Sequence, residues 1–176
     1  MGDISRVEVV KGAQSALYGS KAIGGVIAVT PASAPEEPGT KTTLRVEAGS
    51  YKTRRSNLTI ATATERTGLA FSIAHATSDG FSSIEKPGYD ENDGYTGTQL
   101  SFDGYVDVTD TLRVGLTAYA LDSRADFDVN FDAEPESGLN ETKTRAIRAY
   151  AELSTGGIDH SFDVTRYRIE RDSTAN

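Results

Sequence analysis

The chain has 176 residues, of which 37% are hydrophobic and 25% charged, with 17 glycines and no tryptophan. Its formal net charge of -8 argues against a nucleic-acid partner, because phosphate contacts require clustered lysine and arginine, but it is compatible with binding a cation. The absence of cysteine excludes disulfides and thiolate metal sites, and no apolar run reaches the roughly 18 residues of a transmembrane helix.

The opening residues, MGDISRVEVV, lead directly into a strand-like pattern. They lack the basic and apolar regions of a signal peptide. We therefore expect either a short cytosolic protein or a piece of a longer chain.

The first predicted unit, residues 7–30, consists of two β-branched runs around a glycine-rich middle. The first run ends at Gly12, and Gly24 and Gly25 permit a turn or a close backbone approach before the second. The pattern predicts a compact strand-turn-strand unit. An ordinary hairpin would explain this much.

After a proline-rich linker (31–40), apolar and polar residues alternate with period two, which is typical of strands with one apolar and one polar face. Seven segments have this pattern: 41–49, 53–64, 67–78, 95–108, 111–124, 142–155 and 158–170. Several of them are longer than the usual strand of a globular protein.

The predicted connections are of two kinds. Residues 65–68, 109–111 and 155–157 form tight turns, whereas 79–94 and 125–140 are long and acidic. The first connection, 48–53, is an exception to this alternation, because it is also short. Long two-faced strands with short turns at one end and long loops at the other are typical of outer-membrane β-barrels. A soluble antiparallel sandwich that serves in binding or adhesion also alternates, so periodicity leaves both open.

The opening stretch RVEVVKGAQSALYGSKAIGGVIAVT resembles the closing segment of the plug domain in TonB-dependent outer-membrane transporters. The matching residues are Arg6, Glu8, Val9, Val10, Lys11, Gly12, Ser15, Leu17, Tyr18, Gly19, Ala22, Gly24, Gly25, Val26 and Ile27. The sequence departs from the family at Ala13, usually proline, and Ala28, usually asparagine. The resemblance implies that Arg6 and Glu8 form ion pairs between plug and barrel; ordinary strand-surface charges are the alternative.

The resemblance also implies an architecture. Residues 1–30 would be the end of the plug domain, 31–40 a linker and 41–176 the first barrel strands. The expected fold class is all-β: an antiparallel meander of about seven long strands, forming a partial arc of a barrel of about 22 strands, with a small plug remnant. Seven strands cannot close such a barrel, so we expect an internal fragment that does not transport alone.

Within the family, residues 121–153 are similar to the vitamin B12 (cobalamin) transporters, which carry a similar acidic loop. The resemblance implies active uptake of a scarce ligand, either cobalamin or a metal chelate such as a siderophore, in the bacterial outer membrane. The implied partners are outer-membrane lipid, the small-molecule ligand and TonB, acting through a TonB box that this sequence lacks. No nucleic-acid partner is expected.

The candidate metal site is in SRADFDVNFD, residues 123–132. Asp126, Asp128 and Asp132 share one face of an extended strand, and Asp122 continues it. Carboxylates about 7 Å apart repel, and Ca²⁺, which takes about 6–8 oxygen ligands, would relieve this repulsion. Similar loops in the cobalamin transporters bind calcium. A solvated polar face at the barrel rim is the alternative.

No catalytic site is predicted. The DENDG run at 90–94 does not fit an EF-hand, because its glycine falls at position five and Ser101 occupies the position of the closing glutamate. The sequence has neither a phosphate-binding loop nor a GxSxG motif. His75 and His160 are the only histidines, and structural roles explain them better than catalysis.

Overall fold

The computed structural model describes residues 4–18, 22–35, 37–82, 92–129 and 136–175. They form two antiparallel sheets, a two-stranded hairpin and a seven-stranded meander in which each strand pairs with the next in the chain. The predicted all-β fold class is therefore confirmed. None of the helices within these ranges has the length and apolar composition needed to span a bilayer.

The N-terminal hairpin consists of β1 (Ile4–Lys11), a single helical turn, α1 (Ser15–Tyr18), and β2 (Gly25–Pro31). Gly12 follows β1 with a φ of 95°, which only glycine adopts without strain. Its N–H donates to the carbonyl oxygen of Gly24 at 3.2 Å, and this bond closes the loop between the strands. The predicted strand-turn-strand unit is confirmed.

The meander follows in seven strands. They are β3 (Gly39–Ala48), β4 (Arg54–Ala63), β5 (Thr67–Ser78), β6 (Tyr95–Asp107), β7 (Leu112–Val129), β8 (Glu136–Thr155) and β9 (Ile158–Ala175). The predicted segments agree with β3 to β6 to within two residues at each end. Period-two alternation therefore predicts both ends of these four strands closely.

The last three strands are longer than predicted. Residues 125–129 pair with 136–140, so these ten residues are strand and their assignment to a long loop is wrong. The acidic composition favoured a loop, but a strand ladder is held by backbone hydrogen bonds, which polar side chains also permit. Residues 130–135 lie outside the described ranges.

The two faces of the meander differ in side-chain size. On the polar face, the buried side chains are small or polar: Asn57, Thr59, Ala61, Ala63, Ala70, Ser72, Ala74, Ser101 and Thr144. On the apolar face, large side chains are exposed: Leu44, Ile60, Leu69, Phe71, Ile73, Leu100, Val106, Val114, Leu116, Ile147, Phe162 and Val164. No large side chain in the described part of the chain is fully buried, so that part lacks the two-layer core of a sandwich.

The linker between the hairpin and the meander lies against the polar face. A Cβ atom added at Gly68 would lie 2.6 Å from the Cβ of Ala34 and would also collide with the ring of Tyr105. The missing side chain of Gly68 therefore makes room for the linker. This contact identifies the polar face as the side from which the N-terminal part of the chain approaches.

Candidate functional site: the two faces of the sheet

The apolar face carries a band of large side chains that crosses the strands obliquely. One row of paired residues begins at Leu44 on β3 and continues through Leu58, Ile73, Leu100, Ala120, Arg145 and Arg168. It is apolar at β3 and charged at β9. The row through Val164 on β9 reaches Leu69 on β5 and then Thr62 and Thr40, so it becomes polar toward β3.

The slope of this band can be measured from the register. On β3 the band ends at Val46, and the row of paired residues through Val46 reaches Glu170 on β9. On β9, however, the band ends at Val164, six residues before Glu170. Six residues span about 20 Å along a strand, and the six steps from β3 to β9 span about 29 Å. The resulting tilt of about 35° lies in the range for strands of membrane barrels. The band therefore has the geometry of a lipid-facing belt.

On the polar face, the β6–β7 hairpin is joined by an ion pair near its short turn. Arg113 donates from Nε to Asp107 Oδ1 at 2.7 Å and from Nη2 to Asp107 Oδ2 at 2.9 Å. The same guanidinium lies over the ring of Tyr105, 3.9 Å from its centroid. Such a two-point contact fixes both the distance and the orientation of the pair.

A similar arrangement occurs on β8 and β9. Arg148 pairs with Asp163 and lies 4.5 Å from the ring centroid of Tyr150. Between β6 and β7, the hydroxyl of Thr117 donates to Asp103 at 3.0 Å. The polar face thus presents charged and hydrogen-bonding groups toward the side that the linker occupies.

A buried hydrogen-bonded cluster links β4 and β5 on this face. Asn57 Nδ2 donates to Ser72 Oγ at 3.0 Å, and Thr59 Oγ1 also lies 3.0 Å from Ser72 Oγ. All three side chains are buried. Buried polar groups are tolerated when they are paired in this way.

The structure places three of the four predicted metal ligands on one face of β7. Asp122 accepts two hydrogen bonds from Arg145, at 2.7 and 2.8 Å. Asp126 Oδ2 would lie 2.9 Å from a Cβ added at Gly94, so this carboxylate closely approaches the start of β6. Both carboxylate oxygens of Asp128 are shielded from solvent without a hydrogen-bond partner.

Asp132 lies outside the described residues. Across the described ranges, no three acidic, histidine or cysteine side chains form a group that could hold a metal. The calcium site therefore stays a prediction. The pairing of Asp122 with Arg145 shows that one of its four proposed ligands already has a cationic partner in the protein.

The plug-like residues lie in and around the N-terminal hairpin. Arg6 donates to Glu8 at 2.5 Å and both side chains are exposed. The ion pairs between plug and barrel stay a prediction. Lys11 ends β1 and is exposed, and Tyr18 ends the helical turn. Gly19 lies outside the described residues.

Gly25 begins β2 with a φ of 150°. A Cβ at this position would lie 2.6 Å from the carbonyl oxygen of Val10, so only glycine fits without a backbone shift. Gly24, by contrast, has no atom within 4 Å of a Cβ. Of the two adjacent glycines, Gly25 is the one that the local packing requires.

The two histidines lie apart on the apolar face. His75 Nδ1 lies 3.0 Å from the hydroxyl of Thr98, and His160 Nε2 lies 3.1 Å from that of Thr155. Each histidine thus has a hydroxyl partner from a neighbouring strand.

Comparison with known proteins agrees with these features. Residues 1–26 match the family model of the TonB-dependent receptor plug domain. The chain is also 27% identical over 168 residues to the vitamin B12 transporter BtuB of Photobacterium profundum. That alignment covers 95% of the chain and 27% of the relative, so the chain spans about a quarter of its relative's length. The chain is therefore similar to TonB-dependent receptors in its first 26 residues and to a vitamin B12 transporter over nearly its whole length.

Proposed function

We propose that the meander forms part of the wall of a TonB-dependent transporter that takes up a scarce ligand, either cobalamin or a metal chelate. The oblique apolar band carries this proposal, because its tilt of about 35° matches strands that cross a membrane in a barrel. The similarity to a vitamin B12 transporter supports cobalamin as the first ligand to test.

In this proposal, residues 1–30 end the plug domain, 31–40 link it to the barrel, and 41–176 contribute barrel strands. The contact of Ala34 with Gly68 supports a plug that approaches the polar face. The unpaired edges of β3 and β9 in the meander support pairing with further strands, since exposed edges otherwise promote aggregation. The charged groups of the polar face would then line the interior.

The test is uptake of radiolabelled cyanocobalamin by cells that lack their own cobalamin transporter and express a complete transporter whose wall includes these strands. We expect uptake that disappears when TonB is deleted. Uptake of a ferric chelate instead of cobalamin would support the transporter and change its ligand. A lack of TonB-dependent uptake of either compound, with the protein present in the outer membrane, would contradict the proposal.

We also propose that the acidic segment around the end of β7 binds Ca²⁺ through the predicted ligands Asp122, Asp126, Asp128 and Asp132. The two solvent-shielded oxygens of Asp128 support this, because unpaired buried carboxylate oxygens are costly and a hard cation would satisfy them. Calcium would neutralise the negative charges of these aspartates and hold their side chains together at the end of the β7–β8 hairpin.

Calcium binding can be measured by equilibrium dialysis of ⁴⁵Ca²⁺ with the protein purified in detergent. We expect Asp128→Asn to weaken binding at least about tenfold, since it removes a charged ligand. Asp110→Asn is the matched control, because Asp110 pairs with Arg66 at the opposite, short-turn end of the sheet. Equal binding by the wild type and the Asp128 variant would contradict this assignment.

A further inference from the structure

A groove on the apolar face has no role in the transport proposal. Its floor is formed by the small side chains of Ala118 and Ala120 on β7, between Leu100 and Phe102 of β6 and Ile147 of β8. The groove has a volume of about 500 Å³. This inference rests on the proposed barrel, in which the groove opens toward lipid and its shape suits a flexible hydrocarbon chain lying against the wall.

One end of the groove is cationic. Arg145, Arg166 and Arg168 all line it, and Arg145 is paired across the β8–β9 ladder with Arg168. Two of the three have carboxylate partners, Arg145 with Asp122 and Arg168 with Glu170. Arg166 has no hydrogen bond or ion pair with any other residue that the structure describes. The cluster of three arginines and two carboxylates therefore has one net positive charge.

The depth of this cluster follows from the slope of the apolar band. On β9 the band ends at Val164, and Arg166 and Arg168 are the next two residues on the same face toward the long-loop end. A charged side chain is costly at the bilayer midplane but nearly neutral at the interface. The arginines thus lie at the depth where lipid headgroups begin.

From these three observations, we propose that the groove binds a phosphate-bearing acyl lipid of the leaflet on the long-loop side. The phosphate contacts Arg166 and Arg168, whose planar guanidinium groups match phosphate geometry. An acyl chain lies over Ala118 and Ala120. An unpaired guanidinium beside an apolar groove at headgroup depth is complementary to a lipid that joins an anion to a hydrocarbon chain.

Native mass spectrometry of the protein, purified from outer membranes in detergent, tests this proposal. The probes are a phosphatidic acid and the diacylglycerol with the same acyl chains, which differ only in the phosphate. We expect the protein to retain phosphatidic acid about tenfold better, as one charge-assisted contact provides. Equal retention of the two lipids by the wild-type protein would by itself overturn the proposal.

Two variants locate the site. The double variant Arg166→Gln and Arg168→Gln removes the cations and should reduce retention of phosphatidic acid about tenfold. Ala120→Leu fills the groove, leaves the cations and should also weaken retention. Arg55→Gln on the polar face is the matched control and should not change it. Wild-type retention by both groove variants would overturn the location.

Discussion

Arg113 binds Asp107 across the β6–β7 hairpin through two hydrogen bonds, while its guanidinium covers the ring of Tyr105 at 3.9 Å. Asp107 accepts through both carboxylate oxygens, so the pair has the two-point geometry that distinguishes a stabilising ion pair from a loose surface contact. The hairpin therefore has a side-chain cross-link at its short-turn end, on the polar face.

Replacing Arg113 with glutamine should destabilise the sheet by about 1 kcal/mol, because both hydrogen bonds to the carboxylate and the contact with the ring are lost. Heat denaturation followed by circular dichroism of the detergent-solubilised protein measures the change. Arg66→Gln is the matched control: Arg66 pairs with Asp110 at the same end of the sheet, but both side chains are largely exposed. Equal effects of the two substitutions would show that the two-point geometry contributes nothing.

Gly25→Ala should destabilise the N-terminal hairpin by about 1–3 kcal/mol, since the added Cβ would lie 2.6 Å from the carbonyl oxygen of Val10. Hydrogen exchange of the β1 and β2 amides would report the loss as faster exchange. The neighbouring change, Gly24→Ala, introduces a Cβ with no atom within 4 Å and should leave exchange nearly unchanged. The opposite order of effects would contradict the packing described here.

Two adjacent positions on β7 test which face contacts lipid. Leu116→Arg places a charge in the apolar band and should cost about 2–4 kcal/mol of stability in a bilayer. Thr117→Arg places the same charge on the polar face, between Asp103 on β6 and Arg148 on β8, whose opposite charges offset each other, and should cost less than about 1 kcal/mol. Urea unfolding in lipid vesicles measures both changes. If the two variants are equally stable, the apolar face is not the lipid-facing one.

The contact between the linker and the sheet predicts a change in accessibility. The chain has no cysteine, so Ala34→Cys provides a single labelling site. Adding Gly68→Ala should displace the linker and speed the reaction of this thiol with a maleimide, because the new Cβ would lie only 2.6 Å from the Cβ of residue 34. Gly49→Ala is the control, since its Cβ would meet Thr53 at an ordinary 3.7 Å. Unchanged labelling in the Gly68 variant would refute the contact.

Most of the sheet could be predicted because period-two alternation in a two-faced strand is a local property. The segment 67–78 is predicted with the bounds that the structure gives it. The ends of β7 and β8 could not be predicted in this way, since the alternation reverses beyond the apolar band. There Asp126 and Asp128 lie on the face that is apolar earlier in β7, and Phe127 and Val129 alternate with them in the sequence. Composition there suggested a loop.

The ion pairs were the least predictable part of the site. Asp122 and Arg145 are 23 residues apart and meet only because of the β7–β8 register, which depends on the exact lengths of the strand ends. Arg6 and Glu8 lie two residues apart on one face of β1 and pair with each other, a local contact that needs no strand register. The plug-like stretch was recognisable because its glycines have the spacing of the family's sequence motif.

The slope of the apolar band has a consequence for how such a sheet closes. Each step from one strand to the next displaces the band by about one residue, so a ring built with this step meets its first strand displaced by roughly as many residues as it has strands. Side chains alternate between the two faces, so this total displacement must be even. An odd displacement would present polar side chains to lipid and apolar side chains to the interior. If the slope seen on β3 to β9 continues around the ring, the number of strands sets the total displacement approximately. Only an even displacement then closes the ring with its apolar face toward lipid.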